Sequence, residues 1–216
     1  MTWPAIKRIL IADDHDIVRR GVRAIIEGRS DWKVVAEASD GRAALELAHD
    51  TKPNICILDY SLPGMNGLSL TRTIRRELPD TEVLIFTMHD NEDLVRDVLT
   101  AGARAFILKS DADRHLVAAV EALSHHKPYF TGSVSETLLA KFLHSATGST
   151  GPALTDRERE VVQLIAEGKI NKEVSRILNI SIKTVETHRA SAMQKLNLRT
   201  AADLVRYAVR NNIVQP

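Results

Sequence analysis

Five short apolar runs in the first half of the chain alternate with segments of helical spacing. The runs occupy residues 9–12, 34–36, 55–58, 83–86 and 105–108. They are continuous and rich in β-branched residues, which is typical of strands buried on both faces of a parallel sheet. The segments between them repeat apolar residues every three or four positions, as helices do. The sequence therefore predicts a doubly wound α/β domain with a five-stranded parallel sheet and right-handed crossovers.

The second half of the chain follows a different pattern, without strand-like runs. A capping box of Thr155 and Glu158 predicts a helix ending near Glu167, where Gly168 stops it. Three further helices are predicted over residues 171–178, from about 182, and over 201–210. These elements predict a small all-α domain with a helix-turn-helix, in which a short turn precedes the third helix.

The two patterns divide the chain into three parts. We predict a first domain at residues 1–124, a linker at 125–152 and a helical domain at 153–216. The linker contains one possible short helix at 134–143. Its last eight residues, 145–152, are small, polar and helix-breaking, which predicts a flexible tether.

Charge is distributed unevenly between the two predicted domains. Residues 1–124 carry 16 Lys and Arg against 20 Asp and Glu, whereas residues 153–216 carry 11 against 7. The positive charge is concentrated in residues 168–210, which favours an anionic polymer as partner, although a solvated helical surface would look similar. Cys56 lies inside an apolar run and is expected to be a buried small hydrophobe. No apolar stretch is long enough to span a bilayer and no signal peptide is evident, so we expect a cytoplasmic protein without a membrane partner.

Polar residues that suit phosphoryl chemistry follow four of the predicted strands. Asp13 and Asp14 follow the first, Asp59 the third, Thr87 ends the fourth and Lys109 follows the fifth. Each alone could be a helix cap, a strand end or a lysine reaching water. Together they would meet at one edge of the sheet, where grouped carboxylates need a cation, and Mg²⁺ prefers such oxygen ligands.

At this point the first domain resembles a flavodoxin-like bacterial receiver domain. The resemblance rests on IADDH at residues 11–15, LDYSLPGMNG at 58–67, Thr87 and GARAFILK at 102–109. It implies that Asp59 accepts a phosphoryl group from a sensor histidine kinase. Asp13, Asp14, Asp59 and the backbone carbonyl of Ser61 would hold Mg²⁺, Thr87 and Lys109 would bind phosphoryl oxygens, and Thr87 and Phe106 would act as the switch.

The second domain resembles the LuxR-type DNA-binding domain, so the whole chain resembles a NarL/FixJ-class response regulator. The matching residues are LTDREREVV at 154–162, IAEGK at 165–169, NKEV at 171–174 and IKTVETHR at 182–189. The resemblance implies binding to double-stranded promoter DNA, with a homodimer forming after phosphorylation. The implied DNA contacts are Lys172, Lys183, Thr184, Glu186, Thr187, His188, Arg189, Ala190 and Lys195. The implied dimer residues are Leu204, Val205, Ala208 and Val209.

The function expected from these patterns is transcriptional regulation rather than enzymatic turnover. A phosphohydrolase of the haloacid dehalogenase type would need an acid two residues after its nucleophile, where this chain has Ser61. A LuxR-type regulator that senses a small ligand, or a receiver that has lost phosphorylation, would not need Asp13, Asp14, Asp59, Thr87 and Lys109 together. Phosphorylation is expected to release or dimerise a DNA-binding domain whose basic recognition surface the acidic receiver covers at rest.

Overall fold

The structure is a computed structural model of the chain. It describes residues 6–88, 92–131, 154–211 and 213–214. The predicted short helix at 134–143 and the tether at 145–152 lie outside the described residues.

The first domain alternates strands and helices along the chain. Its strands are β1 (Lys7–Ala12), β2 (Trp32–Ala38), β3 (Ile55–Leu58), β4 (Glu82–Thr87), β5 (Ala105–Leu108) and β6 (Tyr129–Phe130). Its helices are α1 (Asp16–Glu27), α2 (Gly41–Thr51), α3 (Gly67–Glu77), α4 (Glu92–Thr100) and α5 (Ala112–Ser124), with a 3-10 turn at Lys109–Asp111.

The strands form one sheet in the order β2-β1-β3-β4-β5-β6, and every neighbouring pair is parallel. The chain moves outward from β1 in both directions, so the strand order reverses between β1 and β3. In open α/β sheets, ligands bind outside the carboxyl ends of the strands at this point of reversal. The ends of β1 and β3 are therefore where a functional site is expected.

Successive residues of each strand point to opposite faces of the sheet, and helices cover both faces, so each face has its own core. Leu10, Cys56 and Phe106 pack in the core that faces α2, α3 and α4. Ile11 and Ile57 pack in the second core, beneath α1 and α5. Burial raises the pKa of the Cys56 thiol, as expected for the predicted small hydrophobe.

The sheet has six strands, so the predicted five-stranded sheet was one short. Strand β6 falls in the predicted linker, and two residues are too few to give a periodic signal. Tertiary contacts hold the turn before it: the Tyr129 amide donates to the Arg104 carbonyl over 2.9 Å. The Arg104 guanidinium in turn donates to the His126 carbonyl over 2.6 Å.

The second domain is helical, with α6 (Asp156–Ala166), α7 (Asn171–Leu178), α8 (Ile182–Lys195) and α9 (Ala201–Arg210). The predicted capping box is present, since the Thr155 hydroxyl accepts from the Glu158 amide and the Glu158 carboxylate accepts from the Thr155 amide. A core of Val161, Leu164, Val174 and Val185 joins α6, α7 and α8. In the described part of the chain, none of the helices has the length and apolar character needed to cross a membrane.

Candidate functional site

Three charged side chains meet at the carboxyl edge of the sheet. Asp13 and Asp59 follow the neighbouring strands β1 and β3, and each is only 2% exposed. The Lys109 ammonium lies 2.6 Å from Asp13 Oδ2 and 3.0 Å from Asp59 Oδ2. The structure therefore brings together residues that are 46 and 50 positions apart in the chain, as the strand-end prediction required.

Asp14 and His15 complete the acidic side of this site. The Asp14 carboxylate is partly exposed, and its Oδ1 lies 2.7 Å from His15 Nδ1. Potential ligand atoms of Asp13, Asp14, His15 and Asp59 all lie within 4.8 Å of one another. His15 was not predicted as a site residue, although its position directly after the two aspartates was the available signal.

Burial and ion pairing have opposite effects on the pKa of the Asp59 carboxyl group. Burial raises the pKa of Asp59, the Lys109 ammonium acts in the opposite direction, and the Asp13 carboxylate adds to the increase. Burial alone would lower the pKa of Lys109, but the carboxylates of Asp59 and Asp13 outweigh it and raise the pKa. The Lys109 ammonium thus pairs with two buried carboxylates, whose charged forms would be unfavourable at this depth without a positive partner.

Two glycines allow the loop after Asp59 to approach the rest of the site closely. A Cβ on Gly67 would overlap the Asp59 carbonyl oxygen, and a Cβ on Gly41 would overlap the Met65 carbonyl oxygen. The Gly67 amide donates to the Tyr60 carbonyl over 2.8 Å, and the Gly41 amide donates to the Pro63 carbonyl over 3.1 Å. These contacts set the path of residues 60–66, here called the phosphoacceptor loop because the resemblance assigns phosphorylation to the preceding Asp59.

The two predicted switch residues lie inside the domain. Thr87 ends β4 and is fully buried, at the same edge as Asp59. Phe106 is 1% exposed and pairs in register with Ile85 of β4. Any movement of the Phe106 ring would therefore begin from a packed position.

Helix α8 is the third helix of the helix-turn-helix and the predicted recognition helix. Ser181 caps it, its hydroxyl accepting from the Thr184 amide over 3.0 Å. Lys183, Glu186, Thr187 and Ala190 are exposed, whereas Val185 on the opposite side is buried in the core. The exposed positions that the resemblance assigned to DNA thus share one side of the helix.

The remaining predicted DNA contacts divide into two groups. Lys172 is exposed at the start of α7, and Thr184, His188 and Arg189 are partly exposed on α8. Lys195 is partly exposed, and its ammonium lies 2.7 Å from Glu158 Oε2. This ion pair joins α8 to α6, and the predicted phosphate contact of Lys195 stays a prediction.

The predicted dimer surface on α9 is smaller than expected. Leu204 and Ala208 are fully buried in the core beside Val162 and Ala192, so in this conformation they cannot contact a second subunit. Val209 is partly buried against the same core, and Val205 is exposed. The apolar stripe that the sequence shows on α9 is mainly the inner face of a small domain.

The two domains contact each other through α6. The Gln163 side chain hydrogen-bonds the phosphoacceptor loop, and Arg159 lies 3.3 Å from both Tyr60 Oη and Asp97 Oδ2. Arg72 of α3 forms an ion pair with Asp156. The expectation that the receiver covers the recognition surface is therefore wrong for this conformation, since the outer side of α8 remains exposed.

Two family models match the chain in succession. Residues 9–121 match the response regulator receiver domain, and residues 152–208 match the bacterial regulatory proteins of the luxR family.

Curated relatives match over nearly the whole chain. The oxygen regulatory protein NreC of Staphylococcus epidermidis is 37% identical over 216 residues, covering 96% of this chain and 99% of the relative. The transcriptional regulatory protein LiaR of Bacillus subtilis is 36% identical over 208 residues, with the same coverage.

Solved structures of similar proteins include complexes with DNA. The Salmonella typhimurium RcsB response regulator aligns with a TM-score of 0.68 at 32% identity, covering 94% of this chain and 97% of that one. An RcsB–DNA complex aligns with a TM-score of 0.59 at 31% identity and the same coverage. With both domains matched in this order, the chain belongs to the NarL/FixJ class of two-component response regulators, which join a receiver domain to a LuxR-type DNA-binding domain.

Proposed function

We propose that the protein regulates transcription by binding promoter DNA under the control of phosphorylation at Asp59, with a sensor histidine kinase as phosphodonor. The observation that carries this proposal is the meeting of Asp13, Asp59 and Lys109, with the Lys109 ammonium within 3.0 Å of both carboxylates. Asp59 would accept the phosphoryl group. Ser61 stands where a haloacid dehalogenase-type phosphohydrolase needs its second acid, which favours a regulator over a hydrolytic enzyme.

The donor set fits a magnesium ion. Asp13, Asp14 and Asp59 offer the hard oxygen ligands that Mg²⁺ prefers, and their ligand atoms lie within 4.8 Å of one another. Among the residues that the structure describes, none donates a well-aligned hydrogen bond to Asp14 Oδ1, although His15 Nδ1 lies 2.7 Å from it. We assign the metal to these three carboxylates and the Ser61 carbonyl. When bound, Mg²⁺ would neutralise negative charge on the phosphoryl oxygens.

The chain's own residues would carry the transfer itself. A carboxylate oxygen of Asp59 forms a bond to phosphorus while the bond from phosphorus to the donor's histidine nitrogen breaks, and that nitrogen keeps the electron pair. The Lys109 ammonium, now paired with two carboxylates, would turn to the transferred phosphoryl oxygens. The Thr87 hydroxyl would bind another of these oxygens and couple the event to packing around Phe106. Charge neutralisation and positioning are the main requirements of such transfers.

DNA readout is assigned to the outer side of α8. Lys183 would contact a phosphate at the start of the helix, together with Lys172 and Arg189, while Glu186 and Thr187 face base edges. The Thr187 hydroxyl donates to the Lys183 carbonyl over 3.0 Å, so it would meet a base as an acceptor. We retain Val205 of α9 as the exposed apolar candidate for contact between subunits of a phosphorylated dimer. We also propose a cytoplasmic location, where promoter DNA and the kinase's phosphodonor domain are both accessible.

The decisive experiment is labelling of the full chain by acetyl phosphate with Mg²⁺, followed by intact mass and peptide mapping. One phosphoryl group is expected on Asp59, stable in acid and labile in base as an acyl phosphate is. The matched control is Asp50→Ala, which removes an exposed carboxylate from the last turn of α2, at the opposite end of that helix from Gly41. Undiminished labelling of Asp59→Ala would disprove the assignment.

A further inference from the structure

Gln163 lies in the DNA-binding domain, but its side chain forms hydrogen bonds with the phosphoacceptor loop of the receiver domain. Its side-chain amide is 1% exposed, donates to the Leu62 carbonyl over 2.9 Å and accepts from the Asn66 amide over 3.1 Å. It also donates to Glu167 Oε1 over 2.8 Å, and the same oxygen accepts from the Gly64 amide over 3.1 Å. Gln163 of α6 and Glu167, the residue that directly follows this helix, thus hold the loop backbone at three points.

A second contact holds the beginning of the same loop. Arg159 donates to the Tyr60 hydroxyl and pairs with Asp97 of α4, each over 3.3 Å. Tyr60 directly follows Asp59 in the chain and is 2% exposed. The loop is therefore restrained by α6 from the residue after the phosphoacceptor to the cap of α3.

The restrained loop is part of the phosphorylation site. The Ser61 amide lies within 3.4 Å of Asp59 Oδ1, and the Ser61 carbonyl is the proposed fourth magnesium ligand. Only seven residues separate Asp59 from the start of α3, so a shift at Leu62 or Asn66 is transmitted to Ser61. Because Asp59 is almost fully buried, the phosphoryl group and its cation require the surrounding loop to move.

We propose that Gln163 is a positioning residue for phosphorylation of Asp59, which holds the phosphoacceptor loop in its unphosphorylated position. This inference rests on the proposed function. Docking of α6 then slows phosphorylation, and phosphorylation weakens docking in return, because coupling between two binding events is reciprocal. The device acts on the phosphoacceptor rather than by covering DNA-reading residues, since Lys183 and Glu186 on α8 stay exposed while the domains are docked.

The test compares initial rates of Asp59 labelling in the full chain at saturating acetyl phosphate and Mg²⁺. Gln163→Ala removes two hydrogen bonds to the loop, and we expect labelling about tenfold faster, equivalent to ~1.4 kcal/mol. Gln163→Glu nearly keeps the side-chain volume but places an acceptor against the Leu62 carbonyl, and the same direction is expected. Gln194→Ala, an exposed glutamine on α8, is the matched control and should label at the wild-type rate.

A charge exchange separates positioning from general destabilisation. Arg159→Asp and Asp97→Arg should each accelerate labelling, because each breaks the contact between α6 and α4. The double variant restores opposite charges across the contact between α6 and α4, so its rate should return toward wild type. Hydrogen exchange of the Gly64 and Asn66 amides should rise in the single variants and on phosphorylation of wild type.

Each outcome decides between the two proposals. Absence of labelling in wild type refutes the proposed function and, with it, this inference. Normal wild-type labelling with unchanged or slower rates in folded Gln163→Ala and Gln163→Glu refutes the inference alone. A double charge exchange that labels as fast as the single variants also refutes it.

Discussion

The pairing of Glu158 with Lys195 should make the DNA-binding domain sensitive to acid. Glu158 is buried, and its carboxylate accepts from Ser191 Oγ over 2.6 Å, from Lys195 Nζ over 2.7 Å and from the Thr155 amide over 2.8 Å. Burial alone would raise the pKa of Glu158, but these hydrogen bonds lower it to about 2, against an ordinary value of 4.5. The folded state therefore favours the charged carboxylate.

The sign and size of the effect follow from this difference. A depressed pKa stabilises the folded state above pH 4.5, and that stability is lost as the pH falls toward 2. At ~1.4 kcal/mol per pKa unit the contribution is at most about 3.5 kcal/mol, and about 2 kcal/mol if solvent partly screens the pair. Glu158→Gln should cost about this amount at pH 7, and the difference from wild type should shrink between pH 4.5 and 2.

The assay is urea unfolding of the full chain at several pH values, with amide NMR signals of α6 and α8 reporting on this domain. Glu186→Gln, which removes an exposed carboxylate from α8, is the matched control and should remain within about 0.5 kcal/mol of wild type. Other titrating groups cancel when each variant is compared with wild type at the same pH. A difference between Glu158→Gln and wild type that stays constant from pH 7 to pH 2 would refute the reasoning.

Three further predictions concern the phosphorylation and DNA-binding surfaces. Lys109→Ala should retain Mg²⁺ binding by calorimetry, since the proposed metal ligands are carboxylates and a carbonyl, but phosphorylation should no longer increase DNA binding. Loss of metal binding would contradict this. Lys183→Ala should weaken binding to all DNA sequences alike and reduce the salt slope by about one phosphate contact. Glu186→Ala should change base preference in a binding-site selection, and an unchanged preference would place Glu186 outside the groove.

Local patterns in the sequence determined most of the architecture. The five buried runs became β1 to β5 because continuous β-branched segments need cover on both faces, and helices supply it. The charged and hydroxyl residues after the strands met at one edge because parallel strands all end there, as the contacts of Lys109 with Asp13 and Asp59 show. The helices of the second domain were equally predictable, since Thr155 and Thr200 form capping boxes within four residues of chain.

Tertiary structure decided the features that depend on distant partners. Strand β6 forms because Tyr129 and Phe130 pair with the edge of β5. A strand of two residues is too short to be predicted from its own sequence pattern. Lys195 forms an ion pair with Glu158 of α6, which is 37 residues away in the sequence and becomes its neighbour only in the folded domain. The roles of Leu204 and Gln163 likewise depend on what packs against them: the helical domain's core buries the first, and the phosphoacceptor loop binds the second. Helical periodicity and caps are encoded within a few neighbouring residues, whereas burial and pairing across the fold depend on the three-dimensional arrangement that those residues reach together.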